Sequence, residues 1–255
     1  MESWQLASAV FFGYVALVAA ASRGLVPQRR RRALAGAAAG ALVLAGSCAL
    51  PADHLANVWL LPPAALLIGY WTSGLLFVAP MPRAERMLAR IDDVLAIDAI
   101  AARTPRLVAE ALELAYVGVY PLIPIALSLA LREGVTADRF WTVILLTDYV
   151  CFGMLPWIQT RPPRAVGFGT PWRSTWRTVN LRVVDASSVQ VNTFPSGHAA
   201  EAVAAALLVS GSPAVVVIPM CLAAAAISAG AVFGRYHYAA DAIAGWAVAV
   251  AVYYL

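Results

Sequence analysis

The chain has 255 residues, 62% of them hydrophobic and 13% charged, with a formal net charge of +4. Soluble domains carry about 25% charged residues, so an ordinary water-soluble domain is excluded, and apolar runs of about 20 residues predict one polytopic membrane domain. All 18 basic residues are arginine, so any phosphate-binding cation here is a guanidinium, which suits bidentate contact with phosphate oxygens.

Residues 5–22 form the first apolar span. Glu2 precedes it and the arginines follow it, which reads as a membrane span rather than a signal peptide. Arg23 and the block Arg29 to Arg32 should stay cytoplasmic. Residues 33–50 return, rich in Ala and Gly, and a third span over about 57–79 is broken near Pro62-Pro63. Between them His54 reads as a capping or interfacial residue. Cys48, Cys151 and Cys221 are scattered through apolar spans and form neither a disulfide frame nor a zinc site.

Residues 82–105 change character. Leu88, Ile91, Leu95 and Ala99 recur at helical spacing with charges between them, predicting an amphipathic interfacial helix. Asp92-Asp93 reads as a solvated face of it. The fourth span, about 106–131, carries Glu110, Glu113, Tyr116 and Tyr120, the last three on one helical face. Ionisable groups in a span usually face a polar cavity, although Glu110 and Glu113 are also near enough to the helix end to reach water. The fifth span, about 140–158, holds Asp148 near its middle, where a buried carboxylate calls for a partner; an active-site arginine is expected.

The polar stretch 160–194 interleaves Trp172, Arg173, Trp176, Arg177 and Arg182, as suits a lipid headgroup layer. Nucleic-acid binding is excluded in so apolar a chain. Three further spans are expected at about 196–211, 213–232 and 237–255. With the N-terminus outside, sixteen arginines fall on the cytoplasmic side and two, Arg132 and Arg139, on the other. The expected fold is all-α: a polytopic integral membrane helical bundle of roughly 6–8 transmembrane helices with an interfacial amphipathic helix.

Two of the three histidines, His198 and His237, each begin an apolar span. Pro195-Ser196-Gly197-His198 stops an extended loop and starts a helix, whose first-turn N–H groups and dipole favour an anion. His237 and Asp241 stand four residues apart, on one helical face, so the carboxylate can fix the imidazole tautomer and raise its basicity. An anion cradle beside an oriented histidine points to chemistry on phosphate.

These residues resemble the phosphatidic-acid phosphatase type 2 superfamily, which groups lipid phosphatases and phosphotransferases with vanadium haloperoxidases. Its pattern is Lys, six residues, Arg-Pro; then Pro-Ser-Gly-His; then Ser-Arg, five residues, His, three residues, Asp. Arg161-Pro162 resembles the close of the first part, Pro195 to His198 the second, and His237 with Asp241 the close of the third. Two positions depart: Met154 stands where the family has Lys, and Ala231 where it has Arg. Arg235, two residues before His237, is the expected substitute. The compact Arg-Tyr-His-Tyr-Ala-Ala-Asp form is most similar to the inositol phosphorylceramide synthase-like branch, which leaves phosphatase and phosphotransferase both open.

The resemblance implies that His237 attacks phosphorus, oriented by Asp241, and that His198 protonates the leaving alcohol. Arg161, Arg164 and Arg235, with the backbone of Ser196, Gly197 and His198, would hold the phosphate oxygens. Glu113, Tyr116, Tyr120 and Asp148 would flank the acceptor. No metal and no cofactor are expected. The substrate would be an amphiphilic lipid phosphate or diphosphate in the cell (plasma or inner) membrane, with the site on its cytoplasmic face. Residues 1–105 would supply N-terminal transmembrane helices and the amphipathic helix, and 106–255 the catalytic core. A non-catalytic lipid-phosphate binder or flippase is the rival reading.

Overall fold

The computed structural model describes residues 1–167 and 172–255, and among them it is helical, with one isolated antiparallel bridge between Thr160 and Asn192. The helices are α1 (Ser3–Ala21), α2 (Pro27–Cys48), α3 (Leu55–Trp59), α4 (Leu61–Gly74), α5 (Pro82–Val94), α6 (Ile97–Arg103) and α7 (Arg106–Val117). They continue with α8 (Val119–Arg132), α9 (Ala137–Gly153), α10 (Thr175–Ser187), α11 (Gly197–Leu208), α12 (Ala214–Phe233) and α13 (Ala239–Tyr253).

Among the described residues two helices are long and apolar enough to cross a membrane, α1 and α12. The pair α7 and α8 makes a third if its two members, bent by 60° at their joint, count as one span. The larger number expected from hydropathy is therefore not met: α2 is 22 residues long but carries the arginine block, while α4, α9, α11 and α13 have 14, 17, 12 and 15 residues. The break in the fourth expected span has a local cause. Pro121 has no N–H to give the Val117 carbonyl, and Gly118 stands at the joint, so the expected span 106–131 breaks in two. α11 and α13 are apolar but shorter.

The expected amphipathic helix is likewise two pieces, α5 and α6, separated at Ala96, whose φ of 53° is left-handed. The polar stretch after α9 contains a full helix, α10, packed on α7, while Phe168 to Pro171 lie outside the described residues. His54 caps α3, its Nδ1 accepting from the Ala56 N–H at 3.1 Å.

α11 is the centre of the bundle, in contact with α8, α9, α12 and α13. Its buried face is built from Ala199, Ala200, Ala202, Ala204, Ala205 and Ala206, small residues that let the neighbouring backbones approach. α1 packs on α9, where Phe11 stacks on Tyr149 at 4.1 Å between ring centroids, so the N-terminal helices share one core with the C-terminal ones.

Candidate active site

The loop before α11 is pinned first. Asn192 donates its backbone N–H to the Thr160 carbonyl at 2.9 Å and its side-chain amide to Thr160 Oγ1 at 3.0 Å. Ser196 then acts as N-cap, its hydroxyl accepting from the Ala199 N–H at 3.4 Å. The Ser196 N–H is already given to the Asp241 carbonyl at 2.9 Å, so of the three N–H groups expected to meet an anion it is taken and those of Gly197 and His198 remain. Gly197 is glycine for space: a Cβ there would lie 2.9 Å from Asp148 Oδ1 and 3.1 Å from Phe152.

His237 is not on a helix, contrary to the expected shared face. It ends the turn after α12, where the Tyr236 and His237 N–H groups both donate to the Ala231 carbonyl at 2.9 Å. Asp241 sits in the first turn of α13 and accepts the Tyr238 N–H at 2.8 Å. The same oxygen lies 3.4 Å from His237 Nδ1. Helix capping therefore brings the two side chains together, and Asp241 is fully buried.

The two imidazoles stand 6.4 Å apart between centroids. His198 is stacked on Tyr116 at 5.2 Å and meets the Tyr120 ring edge-on at 5.8 Å. Both histidines line one cavity of about 400 Å³ that reaches down between α4, α8 and α9 and is walled largely by aromatic and aliphatic side chains.

Of the three arginines named from the sequence, only Arg164 lines this cavity. Its guanidinium stands 5.6 Å from the Tyr236 ring, and its backbone N–H donates to the Arg235 carbonyl at 3.1 Å. Arg161 is turned into a bidentate pair with Glu85 of α5, Nε and Nη2 each 2.9 Å from a carboxylate oxygen. Those hydrogen bonds hold the Glu85 carboxyl below its ordinary value and push the Arg161 guanidinium up. Arg235 is fully buried and held by Asp92 at 2.7 Å and Asp98 at 3.2 Å. Asp92 is thus no solvated face. It is buried, accepts the first N–H of α13 from Ala239 at 2.9 Å, and burial raises its carboxyl above the usual range against those partners.

Glu113 does not line the cavity. Trp172, Arg177, Asn180 and the Tyr236 hydroxyl all donate to its carboxylate at 2.6–2.9 Å, behind the stacked pair of Tyr116 and Tyr236. Trp172 and Arg177, expected in a headgroup layer, are therefore drawn inward. Glu110 neither faces the cavity nor simply reaches water: it accepts the Thr175 and Trp176 N–H groups at the start of α10. Tyr116 and Tyr120 do line the cavity. So does Asp148, which has no arginine beside it among the described residues; its neighbour is Glu201. Sequence reasoning passed over Glu201 and Glu85 and misread Asp92 as solvated. Glu201, a lone carboxylate one turn after His198 in an alanine-rich helix, carried a usable signal; the other two act through contacts far along the chain.

A family model described as the PAP2 superfamily matches residues 83–255. No curated protein and no solved structure matches the chain.

Proposed function

The chain belongs to the PAP2 superfamily, and from that premise we propose that it is a membrane-embedded lipid phosphate phosphatase or phosphotransferase working through a phosphohistidine. One observation carries this reading: His237, tied through Nδ1 to buried Asp241, faces His198 across 6.4 Å at the end of a largely apolar cavity. The Asp241 contact leaves Nε2 of His237 as the nitrogen available to attack phosphorus.

In this reading the phosphoryl oxygens meet the N–H groups of Gly197 and His198 at the positive end of α11, with Arg164 as the nearest guanidinium. The P–O bond to the leaving alcohol breaks as the P–N bond to His237 forms, and His198 gives that alcohol its proton. His198 then takes a proton from the acceptor, water or an alcohol, whose oxygen displaces His237. Arginine and helix N-terminus supply the positive charge, so turnover is expected without divalent metal.

We read 106–255 as the catalytic core, with α5 as a brace: Asp92 holds the start of α13 and Glu85 holds Arg161. The arginine distribution favours a site opening to the cytoplasm. A cysteine placed at Arg173 in an otherwise cysteine-free chain should resist an impermeant thiol reagent in intact cells; labelling would reverse the assignment. The activity itself is tested by phosphate release or transfer from a lipid monophosphate in detergent with excess chelator. Turnover supports the reading, and turnover that is abolished by chelator and restored by magnesium contradicts it.

A further inference from the structure

The other buried carboxylates of this site each hold two or more donors. Glu85 takes Arg161 three times, Asp92 takes Arg235 and Ala239, Glu113 takes four side chains, and Asp241 takes Tyr238 and His237. Asp148 breaks this rule. It is 1% exposed, its Oδ2 has no hydrogen-bond partner, and no cation pairs with it among the described residues. A buried carboxylate left so is costly unless something else completes it.

Glu201, half-buried, is a second carboxylate beside it. Asp148 Oδ1 packs against Gly197, and Glu201 lies one helical turn further along the same face of α11. The two carboxyls sense each other electrostatically, and both border the cavity beside His198. Glu201 likewise has no hydrogen bond or ion pair among the described residues. The surrounding wall is aromatic. Phe152 flanks Gly197 and packs on Tyr70 at 5.4 Å, while Tyr120 meets His198 edge-on. Carboxylates set in an aromatic wall attract an organic cation, through charge and through the negative faces of the rings. A phosphate placed between the two carboxylates would be repelled, so a cationic part of the molecule rather than its phosphoryl group is assigned there.

We propose that Asp148 and Glu201, with Tyr70, Tyr120 and Phe152, form a subsite for an organic ammonium group on the molecule that gives or receives the phosphoryl group. This rests on the phosphoryl-transfer reading for its place in a reaction, although the cation site itself does not. The ammonium would be carried near the reacting oxygen, as in an amino-alcohol, because the subsite adjoins His198.

The test has a binding arm and two turnover arms, all on the full chain in nonionic detergent. In the binding arm, hexyltrimethylammonium should raise the thermal midpoint and hexane-1,2-diol should not. The D148N/E201Q double substitution, or either single one where the double does not fold, should remove the difference. Equal shifts from the two probes in the wild-type protein, or a difference that survives the substitutions, overturn the proposal. One turnover arm compares the phosphate monoester of a long-chain 2-amino alcohol with its 2-hydroxy analogue. The other compares an amino-alcohol acceptor with a diol when a simple alkyl phosphate is the donor. A preference of about tenfold in the first arm places the ammonium on the donor, and in the second on the acceptor. Turnover with no preference in either arm overturns the proposal. A thermal shift from the ammonium without turnover of any phosphate supports the cation site and sinks the phosphoryl-transfer reading instead.

Discussion

The backbone N–H of Ser196 donates to the carbonyl oxygen of Asp241 at 2.9 Å, joining the first turn of α11 to the first turn of α13. One bond thereby couples the helix that carries His198 to the carboxylate that orients His237. The close approach continues at Gly245, where a Cβ would stand 2.6 Å from the Ser196 carbonyl oxygen. Relative placement of the two histidines is thereby tied to backbone contacts between α11 and α13.

Gly245→Ala therefore has no flexible neighbour to push aside, since the clash is with backbone. It should cost about 1–3 kcal/mol and lower kcat together with thermal stability. Thermal melts and kinetics on one preparation check this; unchanged values would show that α11 and α13 separate freely.

Asp241 has two jobs that one substitution can separate. Asp241→Asn keeps an oxygen to accept the Tyr238 N–H but loses the charge beside His237. Turnover should fall by roughly 10²–10⁴-fold, while stability changes by no more than about 1 kcal/mol. Asp241→Ala should lose both. A variant Asn protein with near-normal turnover would remove the carboxylate from the mechanism.

The arginines should rank in an order that the family pattern alone does not give. Arg164 lines the cavity, whereas Arg161 is held by Glu85. Arg164→Ala should lower kcat/KM by about 10²–10³-fold and Arg161→Ala by less than about tenfold. Steady-state kinetics on a soluble phosphate monoester measures both, and the reverse order would put Arg161 on the phosphate.

The clamp between Glu85 and Arg161 carries a pH signature. The Glu85 carboxyl is held below its ordinary 4.5 chiefly by hydrogen bonds from Arg161. Its contribution is thus complete above that value and is lost as pH falls through the depressed one. The thermal midpoint should drop as pH falls below the ordinary 4.5 and through the depressed value, and Glu85→Gln should flatten this part of the profile. An identical profile in the variant would show that the clamp adds nothing to stability.

What could be read from the chain was what is local. Pro195 to His198 announces a loop stop and a helix start, and His237 with Asp241 announces a pair, because each lies within a few residues. The reason for the second pairing was not legible: capping of α13, rather than a helical face, brings the side chains together. Pairings across long stretches were hidden. Asp92 meets Arg235 over 143 residues and Glu85 meets Arg161 over 76, so a charge pattern that reads as a solvated face becomes a buried brace. Hydropathy could not distinguish a long span from two short helices meeting at 60° around Gly118 and Pro121.

The central claim is that phosphorus passes through His237 while His198 handles the proton of the leaving alcohol. A quench in detergent at alkaline pH after mixing with a radiolabelled lipid phosphate, which preserves the acid-labile P–N bond, followed by alkaline isolation of phosphohistidine, tests it directly. The account predicts label on His237 in the wild-type protein and none in His237→Ala. It also predicts that His198→Ala loses far more rate with an alkyl ester than with a nitrophenyl ester, whose leaving group needs no proton. Label retained in His237→Ala, or equal losses for the two esters in His198→Ala, would contradict it.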